Sequence, residues 1–188
     1  TSGEKKELVP VEDKDTFYII FTSGTTGVPK GVQISHKNLL SFTNWDLKDF
    51  GIEPGMRFLS QAPYSFDLSV MSVYPALCRG TLVPMEKAVI NDFKKLFSFL
   101  PQLDLEVWVS TPSFMDICLM EKTFDGAHVP SLKIFQFCGE ELPRKTAEEL
   151  LRRFPNAKIF NTYGPTEATV AMTQIEVTAE VLARYDRV

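Results

Sequence analysis

No apolar run in this 188-residue sequence approaches the roughly 20 residues that a membrane-spanning helix needs. The first residues also lack the basic-then-apolar order of a signal peptide. Cysteine is scarce. Cys78, Cys118 and Cys138 make an odd number without metal-ligand spacing, so neither a disulfide framework nor a thiolate metal site is expected. Positive charge is short as well: the formal net charge is −4, which gives a nucleic-acid partner no electrostatic support. There is no internal repeat and no low-complexity tract. These absences leave a globular chain for which a reducing, cytoplasmic setting is expected. Its 44% hydrophobic and 23% charged content are ordinary for such a chain, and the length suits one domain core.

What the sequence does have is one dense polar stretch, Thr22-Ser23-Gly24-Thr25-Thr26-Gly27-Val28-Pro29-Lys30-Gly31. Its glycines permit positive φ and close backbone approach, so that successive N–H groups can wrap an anion. The hydroxyls add donors and Lys30 adds a mobile positive charge. That is the chemistry of a polyphosphate cradle. A P-loop is excluded by spacing, because Pro29 stands where its second glycine belongs and Gly31 follows Lys30 in place of Ser or Thr. A flexible polar loop without chemistry is the plain alternative for this composition.

Around this stretch, apolar runs and turn signals alternate. Thr16–Phe21 reads as a buried strand and residues 32–34 as a short one. Ser35 is placed to cap a helix through about Asp49, with Leu39, Leu40, Phe42, Leu47 and Phe50 available to a core. Further strands are expected at 57–60, 81–84, 105–110, 133–137 and 158–160. Helices are expected after Asp67, across Phe93–Leu100, after Thr111, and after Cys138–Glu141 with Pro143 in the first turn. The pairs Glu148–Arg152 and Glu149–Arg153 read as a solvated helix face. The pattern predicts an α/β fold, a mostly parallel sheet flanked by helices on both faces. Ligands of such sheets bind at the carboxyl ends of the strands, where the three motif-bearing loops fall. Residues 1–15 read as a surface lead-in and 16–188 as the binding region, and both ends read as cut from something longer.

Three segments carry a family resemblance. The Thr22–Gly31 loop is followed at a familiar distance by Phe66-Asp67-Leu68-Ser69, then by Asn161-Thr162-Tyr163-Gly164-Pro165-Thr166-Glu167. Taken singly, Asp67 could be a helix cap and Tyr-Gly-Pro a bare turn. In this order they resemble the adenylate-forming enzymes, which include acyl-CoA synthetases, luciferases and peptide-synthetase adenylation domains. The resemblance runs from about Thr22 to Val170. It implies ATP and Mg²⁺ as cofactors, with Thr22, Ser23, Gly24, Thr25, Thr26, Gly27 and Lys30 around the phosphates. Gly139, Glu140, Asn161, Thr162, Tyr163, Gly164 and Pro165 would line the nucleotide, with Tyr163 stacked on the adenine. Thr166 would meet the α-phosphate and Glu167 would ligate Mg²⁺. Thr166, Glu167 and Lys30 are thus the implied catalytic groups.

Asp67 would hold the ammonium of an amino acid, leaving its carboxylate to attack the α-phosphorus. Phe137-Cys138-Gly139-Glu140 and Asn161–Val170 look like the branch that loads D-alanine onto a phosphopantetheinyl carrier protein. In that branch the residues matching Cys138 and Val170 line an alanine-sized pocket. The plain reading of Cys138 is a small buried hydrophobe. No Ser/His/Asp nucleophile is needed for this chemistry, and His36 and His128 read as surface or capping residues. Two departures matter: the family's later Tyr-x-x-Gly-Asp-type ribose motif and its C-terminal lysine-bearing domain do not occur in these residues. Lys158 matches no motif that would replace that lysine.

Overall fold

The computed structural model describes residues 9–23 and 27–185. Its centre is a six-stranded sheet of order β4-β3-β5-β6-β7-β8. The strands are β3 (Arg57–Ser60), β4 (Thr81–Pro84), β5 (Val107–Ser110), β6 (Ile134–Phe137), β7 (Lys158–Tyr163) and β8 (Thr173–Glu176). The first five run parallel and β8 closes one edge antiparallel to β7. Strand order reverses between β3 and β5, the crevice in which open α/β sheets receive ligands.

Side-chain alternation divides the core into two layers. Leu59, Trp108, Phe135, Phe137 and Ile159 point to one face. There they pack with Leu96 of α4 (Phe93–Phe99), Met115 of α5 (Pro112–Cys118), Leu150 of α6 (Arg144–Arg153) and Leu182 of α7 (Ala179–Arg184). Phe58, Val107, Val109, Ile134, Cys138 and Phe160 point to the other face. They meet Leu39 and Phe42 of α1 (His36–Asp49) and Met71 and Ala76 of α2 (Val70–Arg79). A further short turn of helix, α3, spans Lys87–Ile90. The expected sheet with helices on both faces is present.

Local chemistry explains where the elements begin. Ser35 Oγ accepts the Asn38 N–H at 3.2 Å while Asn38 Oδ1 accepts the Ser35 N–H at 3.2 Å, a reciprocal box at the head of α1. Thr111 and Thr178 cap α5 and α7 one way, their side-chain oxygens accepting the N–H of Phe114 and of Val181.

Several expectations need correction. β1 (Thr16–Thr22) is not buried: it pairs antiparallel with β2 (Lys30–Ser35) in a separate two-stranded sheet, and Phe21 is 68% exposed. An unbroken apolar run cannot tell which of its faces is covered. Leu40 is likewise exposed on α1. Pro143 stands one residue before α6, with an extended ψ of 136°, and so does not occupy the first turn. On that helix Glu148 pairs with Arg144, and Arg152 joins Arg153 on Glu149. Arg153 is no solvated charge, because its guanidinium also donates to the carbonyls of Leu119, Glu121 and Phe124. It ties the 119–126 loop to α6.

Candidate functional site

Four chain segments converge at the carboxyl ends of the parallel strands. After β3 the chain passes Tyr64 and Phe66 into a 3₁₀ turn, Asp67–Ser69, that leads into α2. After β6 come Cys138, Gly139 and Glu140. Strand β7 carries Asn161, Thr162 and Tyr163 and is followed by Gly164, Pro165 and a 3₁₀ turn at Thr166–Ala168. Strand β2, which follows the polar stretch in sequence, packs against that last turn.

Asp67 does not cap a helix with its side chain. It is 7% exposed, and its Oδ2 accepts the Thr166 hydroxyl at 2.6 Å across 99 positions of sequence. Tertiary structure has taken the carboxylate that local sequence would have given to a cap. Beside it, Cys138 is buried and its Sγ lies 3.7 Å from the carbonyl oxygen of Val170, to which the thiol donates. Burial pushes the Cys138 thiol above its ordinary pKa, and the Asp67 charge adds to the rise. Cys138 is therefore a protonated, space-filling group and not a nucleophile. Val170 is buried and holds a positive φ of 70°, next to Thr169 at 63°, a conformation rare for a β-branched residue. The structure thus brings Asp67, Cys138 and Val170 together as the sequence implied.

Glycines shape the approach to this cluster. Gly139 has φ of 92°, and a Cβ there would lie 3.3 Å from the Phe66 ring. At Gly164 a Cβ would lie 2.6 Å from the Cα of Ala171, so only glycine lets the two backbones pass. Glu140 does not project freely: its Oε2 accepts the Ser113 N–H at 3.0 Å and the Ser113 hydroxyl, which anchors the 138–140 corner to the head of α5. Ser113 was not singled out in the sequence, since nothing local marks a partner 27 residues away.

The residues implied for the nucleotide differ in what they offer. Thr162 is buried and its hydroxyl donates to the Phe137 carbonyl at 2.7 Å, so its side chain serves the sheet. Asn161 has a buried Oδ1 without a hydrogen-bond partner. Tyr163 presents 71% of its surface and Glu167 is exposed. Thr22 and Lys30 are register partners at the ends of β1 and β2, so the polar stretch joins two paired strands. Ser23, Gly27 and Lys30 are exposed there, Gly27 with a φ of 80°. Gly24, Thr25 and Thr26 lie outside the described residues.

An exposed aromatic, Tyr163, flanked by Gly164, together with the exposed Glu167 and Lys30, fits an anionic, planar ligand such as ATP. Among the described residues no group of three or more His, Cys, Asp and Glu converges into a metal cage. One exposed carboxylate, Glu167, fits Mg²⁺ shared with a polyphosphate, a cation that commonly takes few protein ligands. His36 is half-buried against Phe17 and His128 pairs with Asp125 at 2.8 Å, so neither histidine enters the site.

Cavity size alone does not find this place. A concavity of 710 Å³ is lined by Lys122, Gly126, Arg153 and Asn156, at the loops that precede β6 and β7. That is the opposite end of the sheet from Cys138. A 350 Å³ cavity lined by Tyr18, Tyr64 and Tyr74 lies near Asp67. Burial, then the charges of Asp67 and Tyr74, push the Tyr18 phenol above its ordinary range, and its hydroxyl has no partner.

Comparison with known proteins agrees with this geometry. The sequence profile described as AMP-binding enzyme matches residues 1–187. A D-alanine–D-alanyl carrier protein ligase of Lactiplantibacillus plantarum is 62% identical over 179 residues, covering 94% of this chain and 35% of that protein. A ligase of the same name from Listeria monocytogenes is 58% identical, covering 93% of this chain and 34% of its own length. The chain spans about a third of the length of the curated relatives it matches. Among solved structures, the Vibrio cholerae adenylation domain AlmE in complex with glycyl-adenosine-5'-phosphate superposes with a TM-score of 0.79 at 30% identity. It covers 89% of this chain and 31% of that one.

Proposed function

The chain belongs to the AMP-binding enzyme family, and from that premise we propose that it activates D-alanine, or another small amino acid, as an aminoacyl-adenylate. One carboxylate oxygen of the amino acid forms a bond to the α-phosphorus of ATP, and the bond from that phosphorus to the bridging oxygen breaks. Pyrophosphate leaves with that electron pair. In the full-length protein the phosphopantetheine thiol of a carrier protein, losing its proton, then bonds to the acyl carbon, and AMP leaves as the bond from that carbon to the phosphate oxygen breaks.

The observation that carries this reading is the cluster of Asp67, Cys138 and Val170. A nearly buried carboxylate without a cationic partner among the described residues fits an ammonium, and a thiol and an isopropyl group beside it suit a small side chain. Thr166, whose hydroxyl now donates to Asp67, would turn to the α-phosphate once it leaves that carboxylate. Lys30 would neutralise charge on the outer phosphates and Tyr163 would stack on the adenine. Mg²⁺ held by Glu167 would supply further neutralisation of the polyphosphate. The chain's own contribution is positioning and electrostatics, which suffices for transfer to phosphorus without a side-chain nucleophile. The curated relatives' names and the glycyl adenylate held by AlmE support the substrate class. A cytoplasmic location accords with the ATP requirement, and among the described residues no helix is long and apolar enough to cross a membrane.

Activation of an apolar carboxylic acid, as in acyl-CoA synthetases, is disfavoured by Asp67, whose charge would be costly beside a hydrocarbon tail. A non-catalytic nucleotide-binding module is the remaining alternative. The deciding experiment is ATP–pyrophosphate exchange by the full-length protein with D-alanine, L-alanine, glycine, larger amino acids and a fatty acid. Exchange driven chiefly by D-alanine is expected. Exchange driven by a larger acid would discard the small-substrate reading, and none with any acid would leave the non-catalytic module.

A further inference from the structure

We propose that the Asp67–Thr166 hydrogen bond is a latch that couples the amino-acid subsite to the nucleotide subsite, so that each ligand promotes binding of the other. The proposal deepens the function given above and rests on it. A threonine hydroxyl carries one proton and can donate to one acceptor at a time. Here that proton goes to Asp67 Oδ2 at 2.6 Å. Among the described residues no other donor reaches Asp67, and no lysine or arginine pairs with it. A carboxylate so nearly buried, at 7% exposure, therefore leans on Thr166 for its partner, and a charge-assisted bond of this kind is strong.

An ammonium at Asp67 takes over that role. It neutralises the carboxylate, weakens its hold on the hydroxyl, and frees the Thr166 proton for a phosphoryl oxygen. In the other direction, a phosphate that draws the hydroxyl away leaves Asp67 without a donor and raises its affinity for an ammonium. Linkage makes the two effects equal. The backbone need not move for the exchange. Gly164 packs against Ala171, and the Met172 N–H donates to the Tyr163 carbonyl at 2.9 Å, which fixes both ends of the loop that carries Thr166. Rotation about the Thr166 side chain is the one motion required.

The test uses D-alaninol, which keeps the ammonium and lacks the reacting carboxylate, so that Mg-ATP can be present without turnover. Its affinity for the full-length protein is measured by calorimetry with and without saturating Mg-ATP, in wild type, Thr166→Ser, Thr166→Val and Thr166→Ala. The ammonium and the phosphates attract one another whatever residue 166 is, so the quantity that decides is the difference between variants. Wild type and Thr166→Ser are expected to share a coupling factor about tenfold larger than the two variants without a hydroxyl, the size of one charge-assisted bond. Thr166→Ala serves if Thr166→Val fails to fold, which thermal melting reveals. Equal coupling in all variants, or none in wild type, overturns the latch. If Mg-ATP binds but neither D-alaninol nor D-alanine does under any condition, the amino-acid reading itself fails and the latch falls with it.

Discussion

Asp46 lies on α1 with its carboxyl wholly out of solvent, and its one hydrogen bond is from Gln136 Nε2 at 2.5 Å. The second oxygens of both side chains, Asp46 Oδ2 and Gln136 Oε1, have no partner among the described residues. Both are acceptors while Asp46 is ionised, and the acid form supplies the donor that the pair lacks. Burial pushes Asp46 from 3.8 up to about 8, against the opposing influence of the Gln136 bond. The folded state thus holds a proton that the unfolded chain gives up above about pH 4. Its contribution to stability is full below that pH and is lost as pH rises towards 8. Asn at this position would donate to Gln136 at any pH. Urea unfolding of wild type and Asp46→Asn should therefore diverge, wild type losing roughly 2 to 4 kcal/mol relative to the variant between pH 5 and 8. A constant gap across that range would show that Asp46 is ionised in the fold. Cys138 invites a second substitution. Cys138→Ala removes the sulfur beside Asp67 and should narrow D- over L-alanine preference in pyrophosphate exchange by about tenfold, the effect of one small group in a substrate pocket. An unchanged ratio would assign Cys138 to packing alone.

The loop between β7 and β8 depends on one missing side chain. Gly164→Ala would drive a Cβ to 2.6 Å from the Cα of Ala171 and 2.9 Å from the amide nitrogen of Met172. Backbone must shift, so a loss of about 1 to 3 kcal/mol in thermal or urea unfolding is expected, with weakened ATP binding as Thr166 is displaced. Retention of both would show that the crossing relaxes freely. On α6, Arg153→Lys keeps the charge yet cannot reach three carbonyls and Glu149 together. It should lower stability by about 1 to 2 kcal/mol and speed amide exchange in residues 119–126.

These elements also show what sequence can and cannot tell. Ser35 with Leu39 and Phe42 announced α1, and the apolar runs at 57–60 and 134–137 announced β3 and β6. Strand β8 was missed because only Ile175 of its four residues is apolar. The cap reading of Asp67 failed for another reason: its partner, Thr166, is brought by the fold from far along the chain. Asp46 gave no local sign at all, since an aspartate in a helix looks the same whether it faces water or Gln136.

Taken as one body, the molecule joins a six-stranded sheet to a hairpin that hydrogen-bonds to none of its strands. The hairpin's outer face shows Phe17, Ile19 and Phe21, all exposed. The unbroken apolar run that made β1 look buried gives it two apolar faces, and this one is only partly covered among the described residues. The side-chain pairs beneath the proposed site, by contrast, are assembled from distant parts of the chain. Asp67 and Thr166 are 99 positions apart, and Asp46 and Gln136 are 90 apart. Closing loops of that length is slow, and no local contact rewards it in advance. On a ribosome adding about 5 to 20 residues per second, Asp67 emerges roughly 5 to 20 seconds before Thr166. Through that interval β3 and its neighbours can collapse, but the carboxylate waits without its hydroxyl. The Asp67–Thr166 pair is therefore a late product of biosynthesis, and a chain interrupted before Thr166 would have most of a sheet and a buried carboxylate without that donor.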